Sequence, residues 1–231
     1  MGFQTFHERW HQQLDQLVEK LKNAPRPPFS DQQNNHLLDL VNNFLSHIGD
    51  YYQVKSAVAH QDVLFLLDAP WASTFERSLH WIAGWRPTTA FQVVHTKSTI
   101  LFENRMLDIL EGGGNPTGDL ADLSSDQFKC LSDLQCVTAQ DENDLSEQLS
   151  VWQDVASDMM LFNYGEDMEE KMQNLGAIVQ KADELRMSTL RKVVQLLTPH
   201  QTVDFLISAA NLHSLVRAWG LNHDGRNDLI N

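Results

Sequence analysis

The eighteen residues 70-PWASTFERSLHWIAGWRP-87 decide how this chain is read. They hold three of its six tryptophans, two prolines, a capping serine and one glycine. Ser73, with Glu76 three positions on, has the form of a capping box, in which each side chain accepts the other residue's backbone N–H. A short helix is therefore predicted from Ser73, with Leu79 and Ile82 lining one face and Phe75 and Trp81 covering the rest. Gly84 reads as its stop. Arg86-Pro87 opens the next element, since proline suits a first helical turn. Indoles as close as Trp81 and Trp85 mark a packing corner.

Helical patterning extends from this corner in both directions. Upstream, Phe3, Phe6, Trp10, Leu14, Leu17 and Leu21 recur at spacings of three and four, the seam of an amphipathic helix. The run Asn23 to Pro28 breaks it. Ser30 with Gln33 caps a second helix through Leu37, Leu40, Val41, Phe44, Leu45, Ile48 and Tyr52, and a short apolar segment reaches Leu67. Downstream, Phe91, Val94, Ile100, Leu101, Met106 and Leu110 predict another long helix ending in a glycine-rich loop, Gly112 to Gly118. Ser124 with Gln127 opens the next, through Phe128, Leu131, Leu134, Val137, Leu145, Leu149 and Trp152, with a break at Asn163-Tyr164-Gly165. Leu175 to Leu197 forms the penultimate helix. Thr198 with Gln201 caps the last, Pro199 sits in its first turn, and Gly220 reads as its end. Alternating strand-like runs are absent. The expected fold is all-α: one domain over residues 3–222, a bundle of long antiparallel helices, with 223–231 as a flexible tail.

Bulk properties narrow the function. With 42% hydrophobic and 21% charged residues, the chain has the composition of a globular protein. No stretch approaches the run of about 18 apolar residues that spans a bilayer. Met1 to His7 lacks the charged start and apolar core of a secretory leader. Cys130 and Cys136 fall on one predicted helix and read as reduced, buried thiols of a cytosolic or nuclear protein. The formal net charge is −14, and Arg191-Lys192 is the only adjacent basic pair. Without a basic stripe to neutralise phosphates, direct nucleic-acid binding is not expected.

Catalytic patterns do not assemble. His7-Glu8-Arg9-Trp10-His11 matches the H-E-x-x-H arrangement of zinc peptidases, but it lies at the amino end and no third ligand is identifiable in the sequence. No metal site is predicted. The glycines of 112–118 follow a helix rather than a strand and lead to no Gly-Lys-Ser/Thr, so they are not a phosphate cradle. The acidic patches 141–144 and 166–170 read as solvated faces near helix starts. No nucleophile, base and orienting group appear in a recognisable frame. An enzyme is not expected.

The motif at Trp71, Ser73, Glu76, Arg77, Trp81, Ile82, Gly84, Trp85, Arg86 and Pro87 resembles the signature of the plant delay-of-germination domain. Ala83 stands where many members carry a second glycine. The likeness continues upstream through Tyr51-Tyr52 and Lys55. Downstream it runs through Leu185-Arg186, Thr198-Pro199, Leu212-His213 and Trp219-Gly220. Such domains occur in seed-dormancy regulators, in pollen-aperture factors and behind the zipper of TGACG-motif-binding bZIP factors. The basic region preceding the domain in the bZIP members has no counterpart here.

The resemblance implies a non-enzymatic regulator acting through protein contacts in seed dormancy and abscisic-acid signalling or in transcription. Its expected partners are type 2C protein phosphatases or transcription factors, in nucleus and cytoplasm, with homodimerisation as a further option. The motif residues are expected to be structural. Phe6, Trp10, Leu14 and Leu17 are the candidate partner-binding row, if Pro25 to Pro28 lets the first helix stand apart and expose it. The resemblance also implies haem: dormancy members carry two histidines one turn apart in the last helix. Here His213 matches the first and Arg217 replaces the second. A sensor for haem or an apolar ligand, or a dimerising transcription cofactor, are the alternative readings.

Overall fold

The computed structural model describes residues 2–28, 30–110, 117–162 and 168–227, and among these no residue is in a strand. The order is α1 (Phe3–Asn23), α2 (Asp31–Gln61), α3 (Val63–Asp68), α4 (Thr74–Ser78), α5 (Thr89–Leu110), a 3-10 turn (Leu120–Asp122), α6 (Ser125–Phe162), α7 (Met168–Leu196) and α8 (Pro199–Asn227). Together they form a single all-helical bundle domain.

The helix starts follow their capping chemistry. Ser30 accepts from the Gln33 N–H, Asp62 from Phe65, and Ser73 with Glu76 closes a full box. Ser124 and Gln127 exchange bonds in the same way, as do Thr198 and Gln201. Gln127 also donates to Gln201, which ties the start of α6 to the start of α8.

Neighbouring long helices run antiparallel. Trp10 bonds the His47 carbonyl while Phe3 meets Tyr51, which sets the register of α1 on α2. On α6 and α7, Gln148 meets Lys181 and Trp152 meets the Lys171 carbonyl. The main core gathers Leu14, Leu21, Leu37, Phe44, Phe91, Val94, Leu131, Val193, Phe205 and Leu206 from α1, α2, α5, α6, α7 and α8. A second core joins Val63, Ile82, Leu145, Leu175, Val179 and Ala182. Burying each large apolar side chain contributes roughly 1.5–3 kcal/mol.

Several expectations are corrected. The α1 row faces inward: Trp10 and Leu14 are buried, and Phe6 and Leu17 pack half-buried against the core. Pro25 to Pro28 does not release the helix, because Arg26 bonds Asp204 of α8 at 2.6 Å. Helix α4 stops at Ser78, leaving Leu79 exposed. Its predicted continuation is an irregular turn. Gly220 does not end α8, which runs on to Asn227, so 223–227 are helical rather than a loose tail. Residues 228–231 lie outside the described residues. So do 111–116, most of the glycine-rich loop, and the break at 163–165. Cys130 and Cys136 are exposed thiols, on the outward side of α6.

Candidate functional site

The segment after α4 is held by charge rather than by regular structure. Ile82 and Ala83 both occupy the left-handed region, at φ 45° and 57°, a conformation that disfavours side chains with a Cβ. The turn they make is closed by the Trp81 N–H donating to the Gly84 carbonyl at 2.6 Å. Its other carbonyls point inward and must find donors there. Arg186 of α7 supplies them: Nε donates to Trp85 at 2.6 Å, and Nη2 to both Trp81 and Ile82. Lys55 of α2 donates to the Ala83 carbonyl at 2.7 Å.

Asp183 balances both cations. Its Oδ1 accepts from Lys55 Nζ at 2.9 Å and from Arg186 Nη1 at 2.5 Å. Arg186 is 0% and Lys55 1% exposed, so neither charge is solvated by water. Burial pulls the Lys55 ammonium down to about 8, against the opposing attraction of Asp183. Burial likewise pushes the neighbouring Tyr51 and Tyr52 hydroxyls upward, so both stay protonated. Gly84 gives Arg186 close approach here, since a Cβ on it would stand 3.0 Å from Arg186 Cζ.

The aromatic residues fasten the segment to four helices. Trp81 donates to Ser146 of α6, Trp85 to the Tyr52 hydroxyl, and Trp71 meets Phe3 edge-on at 4.5 Å. The Arg186 guanidinium also lies over the Trp81 ring. Glu142 of α6, expected on a solvated acidic face, is instead buried. It accepts from the Thr88 N–H at 2.6 Å and pairs with Arg86 at 3.0 Å, capping the entry to α5. Glu76 meets Arg217 of α8 at 3.4 Å, while Arg77 stays exposed. Asp183 and Glu142 had no signal in the sequence. Asp183 meets Lys55, and Glu142 meets Thr88, across more than 50 residues of sequence.

His213 lies under α1, face to face with His11 at 4.9 Å between ring centroids. Its Nε2 is sealed from solvent and has no hydrogen-bond partner among the described residues. An axial haem ligand must present that lone pair to an open porphyrin face. Here Trp10 and His11 cover the ring, so His213 does not fit haem in this arrangement.

The apolar surface left open lies elsewhere. On α8, Leu212, Leu215 and Trp219 share a face and are 42%, 69% and 54% exposed. Trp219 rests on Phe75 of α4 at 4.4 Å, so this row adjoins the motif segment directly. Leu79, 53% exposed, follows the end of α4.

A bundle whose buried charges fasten one irregular segment, beside an exposed apolar helix face, has the makings of a contact module. A family model described as seed dormancy control matches residues 13–96. Protein DOG1-like 1 of Arabidopsis thaliana is 24% identical over 96% of this chain and 90% of its own length. Protein ZW2 of the same plant is 28% identical over 79% of the chain and 80% of its own length. Transcription factor TGA7, also from Arabidopsis thaliana, is 27% identical over 93% of the chain, which spans 54% of that factor. These matches make the chain similar to proteins of the DOG1, or delay-of-germination, type. The likeness supports a non-enzymatic regulatory role exercised through protein contacts. Among the described residues no helix is long and apolar enough to cross a membrane.

Proposed function

We propose that this chain is a dormancy-type regulator in abscisic-acid signalling, resident in nucleus and cytoplasm, that docks a type 2C protein phosphatase. The delay-of-germination domain then takes in residues 3–222 and the remainder of α8. The observation that supports this reading is the exposed row Leu212, Leu215 and Trp219, with Trp219 resting on Phe75, on a strongly acidic chain. Aromatic and aliphatic anchors of this kind carry most of the free energy of protein association. In this reading the contact falls to the α8 row rather than to Phe6, Trp10, Leu14 and Leu17 of α1, which pack in or against the core.

The test is capture of a purified type 2C phosphatase by the wild-type chain and by Leu215→Arg. Leu215 is the most exposed of the three, so folding is expected to survive the change. At least a tenfold loss of binding with an unchanged melting temperature supports the reading. Equal capture by both removes this face from the interface.

A second reading is favoured by the relatives titled transcription factors, TGA7, TGA3 and bZIP TGA10. The same row would then join two copies of the chain, or this chain to such a factor, as a dimerising cofactor. Sedimentation at micromolar concentration of the wild-type chain, alone and mixed with such a factor, separates the two, since only the cofactor reading requires a dimer or an assembly with the factor.

A further inference from the structure

One cluster is unused by the contacts described so far. His7 and His11 stand one turn apart on α1, with Nε2 3.3 Å from Nε2 and the rings edge to face at 4.4 Å. Trp10 closes on His11 from one side at 5.1 Å, and His213 covers it from the other. His7 Nδ1 is buried, with no hydrogen-bond partner among the described residues. Burial, chiefly, holds His7 down at about 3 and His11 at about 2, so both rings are neutral lone-pair donors at physiological pH.

The spacing has a metal counterpart. Two imidazole nitrogens each about 2.05 Å from a tetrahedral zinc ion lie roughly 3.3 Å apart. In the metal-free protein the same separation admits only one shared proton between two facing lone pairs. Imidazole pairs at i and i+4 suit borderline divalent ions such as zinc, nickel and copper. A surface cavity of about 340 Å³ reaches His7, though not His11, and is also lined by Glu8, Arg217 and Asp224. Glu8 and Asp224 attract a cation there, while Arg217, paired with Glu76 at 3.4 Å, opposes one.

We propose that His7 and His11 form a two-imidazole clamp for a borderline divalent transition metal, completed by water and without a catalytic role. Among the described residues no three metal-binding side chains converge as a cage, so the site is open rather than a closed structural centre. Glu8 is exposed and lines the same cavity as His7. The bound ion takes the place of the shared proton, which moves to Nδ1 of the ring that carried it, and fixes both rings against His213 and Trp10. It thereby stabilises the first turns of α1.

The full chain, stripped with chelator and dialysed, is titrated with zinc chloride by calorimetry and loaded with one equivalent of copper(II) for electron paramagnetic resonance. One saturable zinc equivalent and nitrogen superhyperfine lines from two imidazoles are expected. His11→Ala and the closer-sized His11→Asn should each weaken zinc binding at least tenfold, whereas His36→Ala, at an exposed histidine of α2, should not. Circular dichroism verifies that each variant is folded, and the wild-type copper spectrum decides the matter even if both His11 variants are not. Absence of saturable binding, a copper spectrum without imidazole nitrogens, or undiminished binding by folded His11 variants would overturn the proposal.

Discussion

Gly220 of α8 lies against Ser73, the residue that caps α4: a Cβ built on the glycine would stand 2.0 Å from the Ser73 hydroxyl and 2.8 Å from its Cβ. The hydroxyl is meanwhile committed to Glu76, accepting from its backbone N–H at 3.2 Å and donating to its carboxylate at 2.7 Å. The two helices meet this closely because position 220 has no side chain.

Gly220→Ala should therefore destabilise the protein although alanine is the better helix former. Helix propensity favours the change by about 1 kcal/mol, while overpacking and loss of the cap cost about 3 kcal/mol or more. A net loss of about 2 kcal/mol in urea unfolding is expected. A variant as stable as wild type would show that α4 and α8 can separate at no cost.

Asp183→Asn tests the charge balance beneath the motif. It leaves Lys55 and Arg186 buried together without an anion, a change that costs about 3–5 kcal/mol. Chemical denaturation should show that loss, together with altered near-ultraviolet dichroism from Trp81 and Trp85. Stability within about 1 kcal/mol of wild type would mean the pair is not holding the segment.

Ala83→Gly should stabilise the protein. Relief of a left-handed φ of 57° contributes about 1–2 kcal/mol, and the added freedom of the unfolded chain takes back about 0.4–1 kcal/mol. A modest gain, near 0.5–1 kcal/mol, is the expected result of denaturant titration. Ala83→Val at the same site should lose stability instead.

Acid should weaken the bundle well before its carboxylates protonate. His7 and His11 are held at about 3 and about 2, and His80 at about 4, in each case chiefly by burial. Unfolded, these rings take up protons near pH 6.5, so the unfolded state binds more protons as pH falls below that value. Stability from these groups is full above pH 6.5 and declines progressively toward pH 4. Melting temperatures measured from pH 7.5 to 4.5 should fall. A flat profile would show that the imidazoles are reached by water in the native state.

Local chemistry was legible in the sequence, and distant chemistry was not. The caps at Ser30, Ser73, Ser124 and Thr198 were readable because a cap and its partner lie three residues apart. The spacing of Phe3 to Leu21 likewise gave a helix with one apolar face. It did not say whether that face was covered, since the cover comes from α2 and α8. Gly84 and Gly220 both looked like helix stops, although each is a place where another residue comes close, a relation that periodicity does not carry. Asp183 and Glu142 sit among other polar residues on long helices. Only the fold reveals that each answers a cation or an N–H from another part of the chain.

Lys55, 1% exposed, has a further bearing on regulation by modification. An acetyl- or ubiquitin-transferring enzyme needs the free amine of an extended lysine, and this one is engaged on Asp183 and the Ala83 carbonyl. A mark at that position would therefore be laid down only on molecules that have opened, so its abundance in the cell would count misfolded or nascent copies rather than signalling ones.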